Sequence, residues 1–245
     1  MNRRSEKGSE FLDYLLSEPR PAGTRLPSIN DLATVLGISP SKLREQLEVA
    51  RALGLVEVRP KTGIRTREFS PLPALRLAIL YGVATDGAWF EALRDLRTRL
   101  ETTYWEEAVT LLEEADLQRL EALIEQGWAK LQGNPVQIPH AEHRALHVGV
   151  FARLPNPMAR ALLESYWEAY EAVGLGLYAD YEYLRQVWTY HRSMVEAIRA
   201  GNLEAGKRAF VEHTGLLRTR PQPAEMSMSG APPPAFPGNW RGDLG

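Results

Sequence analysis

Between Ala74 and about Leu217 the apolar residues recur at three- and four-residue spacing almost without a break, and no strand-type alternation runs to a useful length. A chain patterned this way has to bury its apolar stripes by packing helix on helix. The spacing predicts helical segments near 74–83, 87–112, 116–132, 140–153, 157–173, 178–200 and 203–217, which together make an all-α bundle over 74–218. The chain as a whole is then mainly α.

The first 69 residues carry a different set of signals. A helical stretch over 5–17, with Phe11, Tyr14 and Leu15 near helical spacing, ends at Pro19, Pro21 and Gly23. A short helix follows from Ile29 to Leu36, with Leu32 and one of Val35 or Leu36 inward, and Gly37 breaks it. Ser39 can cap the next helix, and Pro40 suits its first position, where an N–H would have no partner anyway. Leu43, Leu47 and Ala50 form its buried stripe, Ser41, Arg44 and Glu48 face the other way, and Gly54 stops it. Residues 55–58 and 64–68 read as two strands joined by a turn at 60–63. Helix, short turn, helix and hairpin, in that order, make a winged helix-turn-helix over 1–69, whose second paired helix would enter the major groove. Phe69 to Pro73 reads as a stiff linker. Residues 219–245, rich in proline and small polar residues, are expected to be disordered, and the Arg241-Gly242-Asp243 triplet within them is a chance match.

Charge supports the division. Residues 1–70 hold twelve lysines and arginines against nine acids, a balance of +3, which leaves −5 for the remainder of a chain whose net charge is −2. A basic head on an acidic body fits nucleic-acid binding by the head alone. No apolar run is long enough to span a membrane, and the N-terminus has no secretory apolar region, so a cytoplasmic protein is expected.

The body carries one chemical constellation. His143 and His147 stand i, i+4 on one helix face, His191 opens a second amphipathic segment and His213 closes a third. The chain has no cysteine, so a metal here must use imidazole and carboxylate. Two ligands from one helix and one from each of two others is a familiar way to build a metal site in a bundle core. The fifth histidine, His140, follows Pro139 at a helix start and is expected to be solvated. The aromatic-rich run over 166–190 reads as core packing, with a pocket wall beside the histidines as the other reading.

With these residues in view, the chain resembles the GntR superfamily of regulators, FadR-like subfamily, with an FCD effector domain. In the head the family pattern is matched by Leu26-Pro27-Ser28, Ile38-Ser39, Leu43-Arg44-Glu45-Gln46-Leu47, Gly54-Leu55 and Gly63. In the body it is matched by Leu146-His147, Pro155-Asn156-Pro157, His191, Met194, Ala197-Ile198, Gly201-Asn202 and His213. The resemblance implies a homodimeric, ligand-responsive repressor on a pseudo-palindromic DNA operator, with a divalent metal and a small carboxylate effector. It assigns the metal to His143, His147, His191 and His213, although the family usually has aspartate where His143 stands. Exchanging a carboxylate for an imidazole raises the charge of the site by one and points to zinc or nickel ahead of manganese. Arg97 resembles a family arginine that faces the effector pocket; an exposed helix arginine accounts for it equally well. Two arginines usual on the DNA-reading helices are absent, with Asn30 and Pro40 in their places, so Arg44 alone is left to read guanine. The DNA-facing set becomes Asn30, Ser39, Ser41, Lys42 and Arg44 on the helix pair, with Lys61, Gly63 and Arg65 on the wing.

Two other functions compete. A histidine-cluster metalloenzyme would need an open coordination position and a general base. Glu142 lies beside His143, but there is no His-Glu-x-x-His motif, and the head would go unexplained. A DNA-binding dimer without an effector would need no metal at all.

Overall fold

Local signals at the chain's turning points set the observed architecture. The computed structural model describes residues 9–60, 62–173 and 180–216. Eleven helices and one hairpin are found there: α1 Glu10–Ser17, α2 Ile29–Leu36, α3 Pro40–Ala52, β1 Val56–Arg59, β2 Gly63–Thr66, α4 Leu72–Thr85, α5 Ala88–Thr103, α6 Trp105–Thr110, α7 Glu114–Leu131, α8 His140–Val150, α9 Pro157–Ala172, α10 Tyr181–Arg199 and α11 Leu203–Leu216. The tail over 219–245 lies outside the described residues.

In the head, the Ser28 side chain caps α2 by accepting from the Asp31 N–H, and Gly37 closes the helix at φ 66°. Ser39 caps α3 by accepting from the Lys42 N–H, with Pro40 in the first turn. Gly54, at φ 74°, turns the chain into β1. The strands pair antiparallel in the register Val56↔Thr66 to Arg59↔Gly63. Phe11, Leu26, Leu32, Leu43, Leu47, Val56 and Ile64 form one core joining α1, α2, α3 and the hairpin. This is the winged helix-turn-helix the sequence predicts. Leu36 rather than Val35 takes the inward place on α2, because Val35 is exposed.

In the body α7, α8, α10 and α11 enclose a core built on Trp105, Leu120, Leu131, Leu146, Phe151, Trp188 and Phe210. Gly127 of α7 lies against the Trp188 ring, and any side chain there would collide with it. Two boundaries differ from expectation. The segment predicted over 87–112 is two helices, because the chain leaves helical geometry at Tyr104. That break turns Trp105 inward, where its indole donates to the Leu203 carbonyl at 3.0 Å. Leu72 and Pro73, read as linker, form the first turn of α4, a position where proline has no N–H to satisfy.

Helix α4 is unlike the others. None of its residues is buried, although Arg76 is its only charged residue. Together with α5 it forms an apolar face that includes Leu75, Ile79, Tyr81, Trp89, Leu96 and, from α9, Leu162. Tyr81 is 73% exposed and Trp89 60%.

Candidate metal centre and DNA-binding face

Helical spacing aligns His143 and His147 on successive turns of α8. The middle of α10 supplies His191, and the last turn of α11 supplies His213. One ligand atom from each of the four lies within 4.8 Å of every other. The Nε2 atoms of His147 and His191 are 3.2 Å apart, and those of His191 and His213 are 3.1 Å apart. His147, His191 and His213 are buried; His143 is half-buried as a residue, and its Nε2 is buried and has no hydrogen-bond partner. His140 begins α8 but is not part of the group.

Burial is the largest cause holding all four imidazoles well below the usual histidine pKa. Neighbouring imidazoles and the Arg97 charge push the same way. The rings are therefore neutral, and their lone pairs are available as metal ligands require. Ligating nitrogens held about 2.0–2.1 Å from a tetrahedral zinc lie about 3.3 Å from one another. The His147–His191 and His191–His213 separations are close to that, and the orphaned Nε2 of His143, in a group whose ligand atoms lie within 4.8 Å of one another, offers a fourth nitrogen. The residues fit a divalent ion that accepts nitrogen ligands.

Arg97 of α5 faces this cluster and is buried rather than surface-exposed. Its Nη2 lies 2.9 Å from His147 Nδ1, and its Nε lies 2.6 Å from Glu101 Oε2, one turn further along α5. The guanidinium carbon lies 4.5 Å from the Tyr166 ring centre and 5.0 Å from that of Trp167. Burial opposes the arginine's charge, but Glu101 and Tyr166 outweigh it and its pKa is raised. Burial pushes the Glu101 carboxyl up to about 7, while Arg97 holds it back from rising further. Trp167 also packs against the histidines, edge-on to His143 at 4.7 Å and tilted to His147 at 4.9 Å between ring centres. The aromatic run thus packs the core and lines the centre with the same side chains.

Sequence reasoning missed Glu101. Its only sequence signal was an i, i+4 spacing from Arg97, which surface helices show just as often.

On the head, Arg44 and Asn30 are exposed and line one groove between α3 and the wing, together with Arg25 and Arg59. Those last two arginines counted in the sequence only as charge. Ser39, Ser41 and Lys42 are exposed at the start of α3. The Ser39 hydroxyl serves as the helix cap, and Lys42 Nζ pairs with Glu10 Oε1 at 2.5 Å. Gly63 opens β2 at φ 76°, a conformation that favours glycine. Arg65 donates from Nη1 to the Gly23 carbonyl at 2.7 Å, tying the wing to the loop before α2. Lys61 lies outside the described residues.

Comparison with known proteins gives a family match and a fold match. The model of the FCD domain matches residues 92–216. The HTH-type transcriptional regulator LutR of Bacillus subtilis (strain 168) is 28% identical over 203 residues, 78% of this chain and 88% of that protein. The Uxu operon transcriptional regulator of Escherichia coli (strain K12) is 23% identical over 220 residues, 88% of this chain and 85% of that protein. Among solved structures, Streptococcus agalactiae GntR superposes with a TM-score of 0.56 at 21% identity, covering 86% of this chain and 96% of that one.

Proposed function

The chain belongs to the FCD-domain family of GntR-type transcription regulators, and on that premise we propose that it is a metal-dependent, ligand-responsive repressor. The observation that carries this reading is the convergence of four neutral imidazoles beside the buried Arg97. His143, His147, His191 and His213 would hold a divalent ion, zinc or nickel ahead of manganese. When bound, the ion supplies a Lewis-acidic point of attachment for an oxygen ligand. Four neutral ligands leave its charge uncancelled, and Arg97 adds a positive charge that Glu101 only balances. The centre therefore favours an anion, and a small carboxylate fits: one end toward the ion, the other toward the guanidinium fork of Arg97.

The head binds DNA through α3 and the wing. One such head reads only a few base pairs, so two heads related by a twofold axis would read a pseudo-palindromic operator. The apolar face of α4 and α5 suits a second copy of the chain, since a soluble monomer rarely leaves so continuous a face in water. Effector binding at the centre would change the spacing of the two heads and release the operator. Among the described residues no helix is long and apolar enough to cross a membrane.

The test is a thermal-shift screen of small mono- and dicarboxylates, with and without zinc. A zinc-dependent stabilisation by one acid, matched by its release of the protein from operator DNA, is the expected result. Stabilisation that ignores zinc would place the effector elsewhere.

A further inference from the structure

His147 is held in a proton arrangement that its use as a metal ligand would have to reverse. A guanidinium can only donate hydrogen bonds. With Arg97 Nη2 at 2.9 Å, His147 Nδ1 must therefore be the acceptor, and the single proton of the neutral ring sits on Nε2. That proton points to His191 Nε2 at 3.2 Å. Ligation through Nε2 needs the lone pair there, which moves the proton to Nδ1. An Nδ1–H facing Arg97 would set donor against donor.

Another acceptor is next to it. Glu101 Oε1 lies 3.6 Å from His147 Nδ1, and both side chains are only 1% exposed. Glu101 Oε1 has no hydrogen-bond partner, while Oε2 is held by Arg97 Nε at 2.6 Å. Ligating histidines commonly donate their second N–H to a carboxylate, which fixes the ring and its tautomer.

We propose that Glu101 is the positioning residue of the centre: it takes the Nδ1–H of His147 when Nε2 serves as ligand, and so frees Arg97 Nη2 for an anion. This rests on the metal reading above. Arg97 stays tethered through Nε, while Nη2 loses its acceptor and turns to the incoming carboxylate. Metal and anion then bind cooperatively, and by linkage each tightens the other by the same factor. The role needs both carboxylate oxygens, one for Arg97 and one for His147, whereas an amide offers a single acceptor.

The experiment is zinc titration of the full chain and of Glu101→Gln by calorimetry, alongside ¹⁵N spectra of the wild-type histidine rings before and after zinc. Glu101→Gln should bind zinc about 10–100-fold more weakly at unchanged stoichiometry. In the wild type, the His147 proton should pass from Nε2 to Nδ1 when zinc is added. Equal affinity in the variant, or a His147 already protonated at Nδ1 without zinc, would overturn the role of Glu101. Should Glu101→Gln fail to fold, the His147 tautomer decides alone. A wild type that takes up no zinc would instead overturn the metal reading.

Discussion

Arg97 and Glu101 form an ion pair one turn apart on α5, with side chains 2% and 1% exposed and Nε 2.6 Å from Oε2. A charged pair this deep is costly to desolvate and is seldom the most stable filling for a core. Its contact with His147 links it to the histidine cluster and gives it a use beyond packing.

Removing one partner should therefore be expensive. Arg97→Ala should cost about 3–5 kcal/mol at pH 8, where the native pair is ionised and its loss strands the buried Glu101 carboxyl without a partner. The loss should be smaller at pH 6, where the carboxyl is protonated with or without Arg97, and should grow as pH rises above about 7, because without Arg97 the carboxyl is pushed higher still. Chemical denaturation at pH 8 and pH 6 checks this; a loss independent of pH would mean that the arginine acts only by packing.

Stability of the metal-free protein should fall as pH drops. The four cluster histidines have folded pKa values well below 6.5, so under acid the unfolded chain takes up protons that the folded one refuses. Their contribution is complete above about pH 6.5 and is lost as pH falls toward the depressed folded values. Glu101 acts in the opposite sense: its raised pKa favours the folded state at low pH, and that contribution is lost as pH rises toward about 7. Four groups outweigh one, so the net effect is a loss of stability as pH falls below about 6.5. Urea midpoints from pH 8 to 5 test this, and His147→Gln should flatten the slope.

Arg44→Ala should weaken operator binding by about 1–3 kcal/mol and leave binding to random DNA nearly unchanged. Lys42→Ala should change either affinity little, because its ammonium is already engaged by Glu10. Gel-shift titrations on both DNAs distinguish the cases; equal losses for Arg44→Ala on the two would argue against base contact.

Trp89→Glu places a charge in the apolar face of α4 and α5 without opening the core, since Trp89 is exposed in the single chain. It should give a monomer by light scattering at micromolar concentration and weaken operator binding, with helicity unchanged. A dimer that survives the substitution would move the subunit contact elsewhere.

The fold was legible wherever local chemistry decided it. Ser28, Ser39, Pro40 and Gly54 fix the head almost residue by residue, and the i, i+4 spacing of His143 and His147 announces a shared face. The break at Tyr104 was hidden because no glycine or proline marks it; burial of Trp105 between distant helices sets it. Glu101, Arg25 and Arg59 were illegible for a related reason. A lone charge has the same local pattern on a surface, in a groove or in a core, and only tertiary packing tells these apart.

The central claim, that the four histidines hold an ion, is tested most directly by elemental analysis of protein purified without chelator, with zinc, nickel and manganese titrations of the same material. About one divalent ion per chain is expected, kept to well below pH 6.5 because the buried imidazoles resist protonation, and absent in His147→Ala. His140→Ala should keep it, and so should His143→Asp, since a carboxylate is as good a ligand at that position. No metal in the purified protein and no uptake of any of the three ions would contradict the account and leave the histidine cluster as packing.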